Sequence, residues 1–158
     1  MTAHDHQGCI DTAMARAEQL CQERGVRFTP LRRRVLALIW SSHESVKAYD
    51  LLDELKSFDK SAKPATVYRT LDFLLEQGLI HRIESLNAFV GCRQPGRAHE
   101  LLLLICERCH NVDERPALDL LAAAAREIAG ARFTPHRQSF EIRGICVECA
   151  ARQGPSAG

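Results

Sequence analysis

Apolar positions recur at helical spacing through the first half of the chain. Leu31, Val35, Leu38 and Ile39 fall at i, i+4, i+7 and i+8, one face of a helix. Thr29 is placed to cap that helix, with Pro30 at its first position. Ala48, Leu51, Leu52 and Leu55 form the face of a second helix. A third opens at Pro64, carries Val67, Leu71, Leu74 and Leu75, and stops at Gly78. Met14, Ala17, Leu20 and Cys21 mark an earlier helix over residues 10–23. After Gly78 the period changes, and 79–84 and 88–92 read as short strands joined across Ser85, Leu86 and Asn87. Short helices followed by a hairpin form a winged helix-turn-helix pattern, although the same stripes also suit a plain helical core.

Further on, 101–105, 112–114 and 138–142 read as strands, and 117–128 as a helix rich in Ala and Leu. The predicted class is therefore α+β: an N-terminal winged helix-turn-helix domain followed by a small α+β domain. The boundaries expected are 1–86 for the first domain, with 1–10 as a flexible arm, and 87–98 for a hinge. The second domain is expected over 99–152 and a disordered tail over 153–158.

With 46% hydrophobic and 26% charged residues in 158, the balance is that of a globular protein able to bury a core without disulfides. Unbroken apolar runs such as Leu101–Cys106 fall far short of the ~20 residues of a membrane span. The start, MTAHDHQGC, has no basic stretch leading into an apolar one. The expectation is a cytoplasmic chain with reduced thiols and no membrane partner. Lys and Arg number 21 against 20 Asp and Glu; through residue 86 the count is twelve against twelve. Bulk charge therefore supplies no nucleic-acid affinity, and a local patch would have to. There is no nucleophile elbow, P-loop or Gly-rich dinucleotide turn, so neither an enzyme activity nor a small organic substrate is expected.

Seven cysteines in a reducing compartment need a reason other than disulfides. Cys106-Glu107-Arg108-Cys109 and Cys146-Val147-Glu148-Cys149 are two CxxC pairs separated by residues 110–145. Each CxxC turn sets two sulfurs on one side of a knuckle, and two such pairs suit one tetrahedral Zn²⁺. A thioredoxin-like redox motif is the competing reading for a single pair. Cys21 falls on the apolar face of the first helix and reads as core; Cys9, beside His4 and His6, reads as part of an arm.

Cys92 ends the second strand of the hairpin, and His81 lies on the first. His99 follows a Pro- and Gly-containing loop, and Glu114 lies five residues beyond the first CxxC. A soft sulfur, two imidazoles and a carboxylate make a zinc set drawn from both halves of the chain. Spacing alone equally allows four ordinary polar residues.

The segments VRFTPLRRRVL (26–36), AYDLLDEL (48–55), AKPATVYRTLDFLLEQGLIHRIES (62–85), ICERC (105–109) and GICVEC (144–149) resemble the ferric uptake regulator family, most closely its zinc-responsive branch. The resemblance spans most of residues 13–150. It implies a homodimeric, metal-dependent transcriptional repressor whose C-terminal α+β domain dimerises. A structural zinc then falls on Cys106, Cys109, Cys146 and Cys149, and a regulatory zinc on His81, Cys92, His99 and Glu114. The chain departs from the iron-responsive branch, with HELLLLIC where that branch carries a His-rich run before the first CxxC. His136 matches a ligand of some relatives but lacks the usual partners, which leaves a third metal site without support. His110 reads as a turn residue. The alternatives are an iron-, manganese- or peroxide-responsive regulator of the same family, and, from another class, a zinc-dependent hydrolase.

In a winged helix the third helix reads base edges with its N-terminal residues. Here those are Ala65, Thr66, Tyr68 and Arg69, preceded by Lys63, with Asp72 also turned outward. Arg69 suits a bidentate contact to guanine, worth roughly 1–3 kcal/mol of discrimination. By resemblance, Tyr49 touches DNA from the preceding helix. Arg32, Arg33 and Arg34 read equally well as phosphate contacts and as a solvated helix face. The expected partner is a palindromic double-stranded operator, with Zn²⁺ fixing the dimer in its DNA-competent form.

Overall fold

The computed structural model describes residues 6–42, 44–96, 101–136 and 138–152, and it divides into two compact units with the boundary after Arg97. In the first unit, helices α1 (His6–Glu23), α2 (Pro30–Trp40), α3 (Ala48–Phe58) and α4 (Pro64–Glu76) surround one core. The core is drawn from the stripes read above. Ala17, Leu20, Val35, Ile39, Leu51, Leu52, Leu55, Val67, Leu71 and Leu74 are all buried. Leu36, Thr70 and Phe73 are buried too, because α2 and α4 are covered on more than one side. The Thr29 hydroxyl accepts from Arg32 N–H at the start of α2, which is the expected cap. Beyond α4, Gly78 takes the left-handed conformation (φ +68°) that ends the helix without a Cβ penalty.

Strands β1 (Val46–Lys47), β2 (Ile80–Ile83) and β3 (Ala88–Gly91) form a sheet ordered β1-β3-β2. The β2–β3 hairpin is the wing, and all its pairs are antiparallel. Two sequence expectations change here. Residues 6–10, expected in a flexible arm, are helical from His6 onward. Residues 88–91, which the expected domain boundaries put in the hinge, are the strand that the hairpin reading expected, and they pair with β2 in the wing. β1, only two residues long, gave no periodic signal.

The second unit is a sheet ordered β5-β4-β6, with β4 (Leu101–Cys106) antiparallel to β5 (Val112–Pro116) and parallel to β6 (Phe140–Gly144). The crossover to the parallel strand contains α5 (Leu118–Gly130), as such connections usually do. A short α6 (Val147–Ala151), unforeseen by periodicity, carries the last cysteine. Leu103, Ile105 and Val112 are buried, but no residue of α5 is.

Candidate metal centres and nucleic-acid interface

The parallel pairing of β4 and β6 explains how two distant CxxC motifs meet. Cys106 stands opposite Gly144 at the strand ends, so each knuckle begins beside the other. Glu107 N–H donates to Gly144 O across the junction at 2.8 Å, and Arg143 pairs with Glu107 at 2.9 Å. His110, with φ +57°, closes the first knuckle by donating its N–H to Cys106 O. The four sulfurs all lie within 4.8 Å of one another, and Cys109 Sγ is 3.8 Å from Cys146 Sγ. A tetrahedron of Zn–S bonds near 2.3 Å has an edge of about 3.8 Å. The donor set therefore fits zinc in both chemistry and spacing.

The surrounding amides favour thiolates. Cys146 N–H donates to Cys106 Sγ at 3.4 Å, and Cys149 N–H to Cys146 Sγ at 3.5 Å. Backbone N–H groups of Cys109 and Cys146 lower the Cys106 thiol to about 6, whereas the Cys146 side chain and then burial push Cys149 up to about 12. Four crowded sulfurs do not all ionise alone; a divalent cation relieves that repulsion.

In the first unit the hairpin register places His81 opposite Val90, and Cys92 N–H donates to Leu79 O. Leu79, His81, Val90 and Cys92 thus share one face, with His81 and Cys92 as diagonal neighbours. Their ligand atoms lie within 4.8 Å of each other. Cys92 is buried and His81 half-buried. Glu114 is a half-buried residue of β5 in the second unit. His99 lies outside the described residues. His136 is exposed and His110 is a turn residue. Cys21 is buried, and burial raises its thiol, as befits a core residue.

On the first unit's surface, α4 presents Thr66, Tyr68, Arg69 and Asp72 to solvent, with Lys63 just before it. Tyr49 on α3 is 71% exposed and Tyr68 52%. Aromatic rings this open are not held there by the core. The arginine run proves more occupied than its sequence suggests. Arg32 lies over the Phe73 ring at 3.4 Å and also donates to Arg27 O. Arg33 pairs with Glu18, holding that carboxyl below its usual range, and lies 5.1 Å from the Phe28 ring. Arg34 covers Phe58 at 3.6 Å. These guanidiniums pack the helices together. Sequence reasoning also missed Arg24, which donates to Gln77 O at 2.7 Å and Gln77 Oε1 at 3.1 Å, capping the end of α4 with a cation.

The chain matches the family model of the ferric uptake regulator family over residues 23–143. It is 41% identical over 142 residues to the zinc uptake regulation protein of Escherichia coli K12, covering 86% of this chain and 80% of that protein. Its fold is similar to a solved zinc uptake regulator complexed with zinc and DNA, with a TM-score of 0.87, 38% identity, and coverage of 91% of this chain and 97% of that one. It is also similar to holo XcZur, with a TM-score of 0.81, 40% identity, and coverage of 89% and 98%. With its paired CxxC knuckles, its winged unit and this breadth of match, the chain belongs to the ferric uptake regulator family.

Proposed function

We propose that this chain is a zinc-responsive transcriptional repressor of zinc-uptake genes, acting in the cytoplasm as a homodimer on a palindromic double-stranded operator. The observation that carries the reading is the His81–Cys92 pair. A thiol and an imidazole lie within 4.8 Å on one face of the wing, in a chain 41% identical to a zinc uptake regulation protein.

Zinc, when bound, supplies a tetrahedral cross-link without redox chemistry. Cys106, Cys109, Cys146 and Cys149 hold the structural ion, whose binding free energy becomes folding free energy of the second unit. His81 and Cys92 offer the first unit's half of a regulatory set, and His99 and Glu114 the other half. Four ligands drawn from both units form a full set in one arrangement of those units only. Binding there biases the population toward that arrangement by its differential affinity. In it, the α4 helices of two protomers meet two half-sites of the duplex. Arg69 reads a guanine, Thr66 and Tyr68 meet base edges or backbone, and Tyr49 and Lys63 fix the register. The exposed apolar side chains Leu118, Leu120 and Ile142 of the second unit support dimerisation there.

The test is zinc content per chain, together with operator affinity with and without chelator, for the wild type and Cys92→Ser. The reading expects two zincs per chain. One is labile and required for tight operator binding, and that requirement disappears with the weakened binding of Cys92→Ser. The zinc response also weakens as pH falls, because protons compete for thiolate and imidazole. Zinc-dependent operator binding that survives Cys92→Ser unchanged removes the pair from the mechanism.

A further inference from the structure

The reverse face of the wing carries a contact that the reading above does not use. A Cβ built on Gly91 would lie 2.3 Å from Cε2 and 2.4 Å from Nε1 of Trp40. The indole, at the C-terminal end of α2, therefore rests directly on the backbone of β3. Glycine weakens a strand interior, and close approach by another group is a reason to keep it there.

The register makes this contact relevant to metal. Gly91 precedes Cys92, and its cross-strand partner Ile80 precedes His81. Side chains alternate, so Trp40 presses on the face opposite the one from which His81 and Cys92 project. Five residues on, Gly96 adopts φ +90°, and a Cβ there would stand 2.8 Å from Cδ2 of Leu20 on α1. The segment bearing Cys92 is thus seated at both ends on helices of its own unit.

We propose that Trp40 is a positioning residue for metal binding: its seat against Gly91 holds Cys92 and His81 at chelating distance before the ion arrives, and so sets the affinity of the labile zinc. The proposal rests on the reading of His81 and Cys92 as ligands. Its physical basis is tolerance. Metal–ligand distances accept about 0.2 Å of error. In Gly91→Ala, moving the new Cβ from 2.3 Å to ordinary van der Waals separation from the indole shifts the strand or the ring by more than 1 Å. A half-site already in place also loses less freedom on binding.

Trp40 is the sole tryptophan, so its emission reports this seat without background. The experiment uses the full chain, with labile zinc affinity measured by competition against a chromophoric chelator and tryptophan emission followed alongside. Gly91→Ala is expected to weaken the labile zinc by about 10–100-fold, while the tight zinc stays at one per chain. In the wild type, emission changes in step with labile zinc and stops changing at one equivalent; Cys92→Ser abolishes that response. Wild-type zinc affinity in a folded Gly91→Ala protein, with the labile site lost in Cys92→Ser, overturns the seat alone. If Gly91→Ala does not fold, Trp40→Phe decides by the same criterion: weakened labile zinc supports the seat, and unchanged affinity overturns it. A Cys92→Ser protein that keeps its labile zinc overturns the ligand reading, and the seat with it.

Discussion

The two units meet the problem of covering apolar surface in different ways. The winged unit closes its own core: Leu36, Leu51, Leu71 and Leu74 on three helices are almost fully covered within it. Among the described residues of the second unit, α5 has no buried residue, and Leu118, Phe133 and Val147 are shown to solvent. In place of a large core this unit has a cluster of four sulfurs joining β4 to β6 and α6. A helix stripe that finds cover inside the chain tells of the fold. A stripe that finds none tells of a partner, here a second copy under the reading above.

That contrast can be broken at its strongest point first. Under the reading proposed above, Cys106→Ser removes one of four zinc ligands, and structural zinc sites of this kind contribute on the order of 10 kcal/mol to folding. Amide exchange is expected to show 101–152 losing protection while the core helices of 6–96 keep theirs; equal loss in both units would erase the distinction. Next in size is Leu74→Ala, expected to cost about 2–5 kcal/mol by leaving a cavity in the winged core. Chemical denaturation should show that cost at any protein concentration, whereas Leu118→Glu should act mainly through the dimer and fade as concentration rises. Arg69→Ala is expected to lose about 1–3 kcal/mol of operator affinity and to relax preference at one base pair. Lys63→Ala should instead lower affinity evenly across sequences and reduce the salt slope by about 1. The smallest effect is Arg24→Ala, which uncaps α4 at Gln77 and should lower the midpoint of the winged unit by about 1 kcal/mol of stability. Arg24→Lys should recover part of it.

Periodicity located α2, α3 and α4 because each carries one apolar stripe, and Pro30, Pro64 and Gly78 mark ends of α2 and α4. It did not find β1 or α6, which are too short to complete a period. It undercounted the burial of Leu36 and Phe73, since covering by a second neighbour leaves no trace in local spacing. The doubled CxxC was legible as chemistry, because four sulfurs in two tight turns have few other uses. The arginine run was legible only as charge. Its engagement with Phe73, Phe28, Phe58 and Glu18 depends on residues up to 41 positions away (73 − 32).

By itself, the chain of letters determined the longer elements, the class of the fold and which residue types could hold a metal, since those follow from local spacing and side-chain chemistry. Only the tertiary structure decided that parallel pairing of β4 with β6 sets the two knuckles at zinc-binding distance. It alone placed His81 and Cys92 diagonally on one face, Arg24 at the end of α4, and Trp40 on Gly91. Except for the hairpin pair His81 and Cys92, these are contacts between residues far apart in the chain, selected by strand register and by the way helices close on one core. No window of neighbouring residues encodes them.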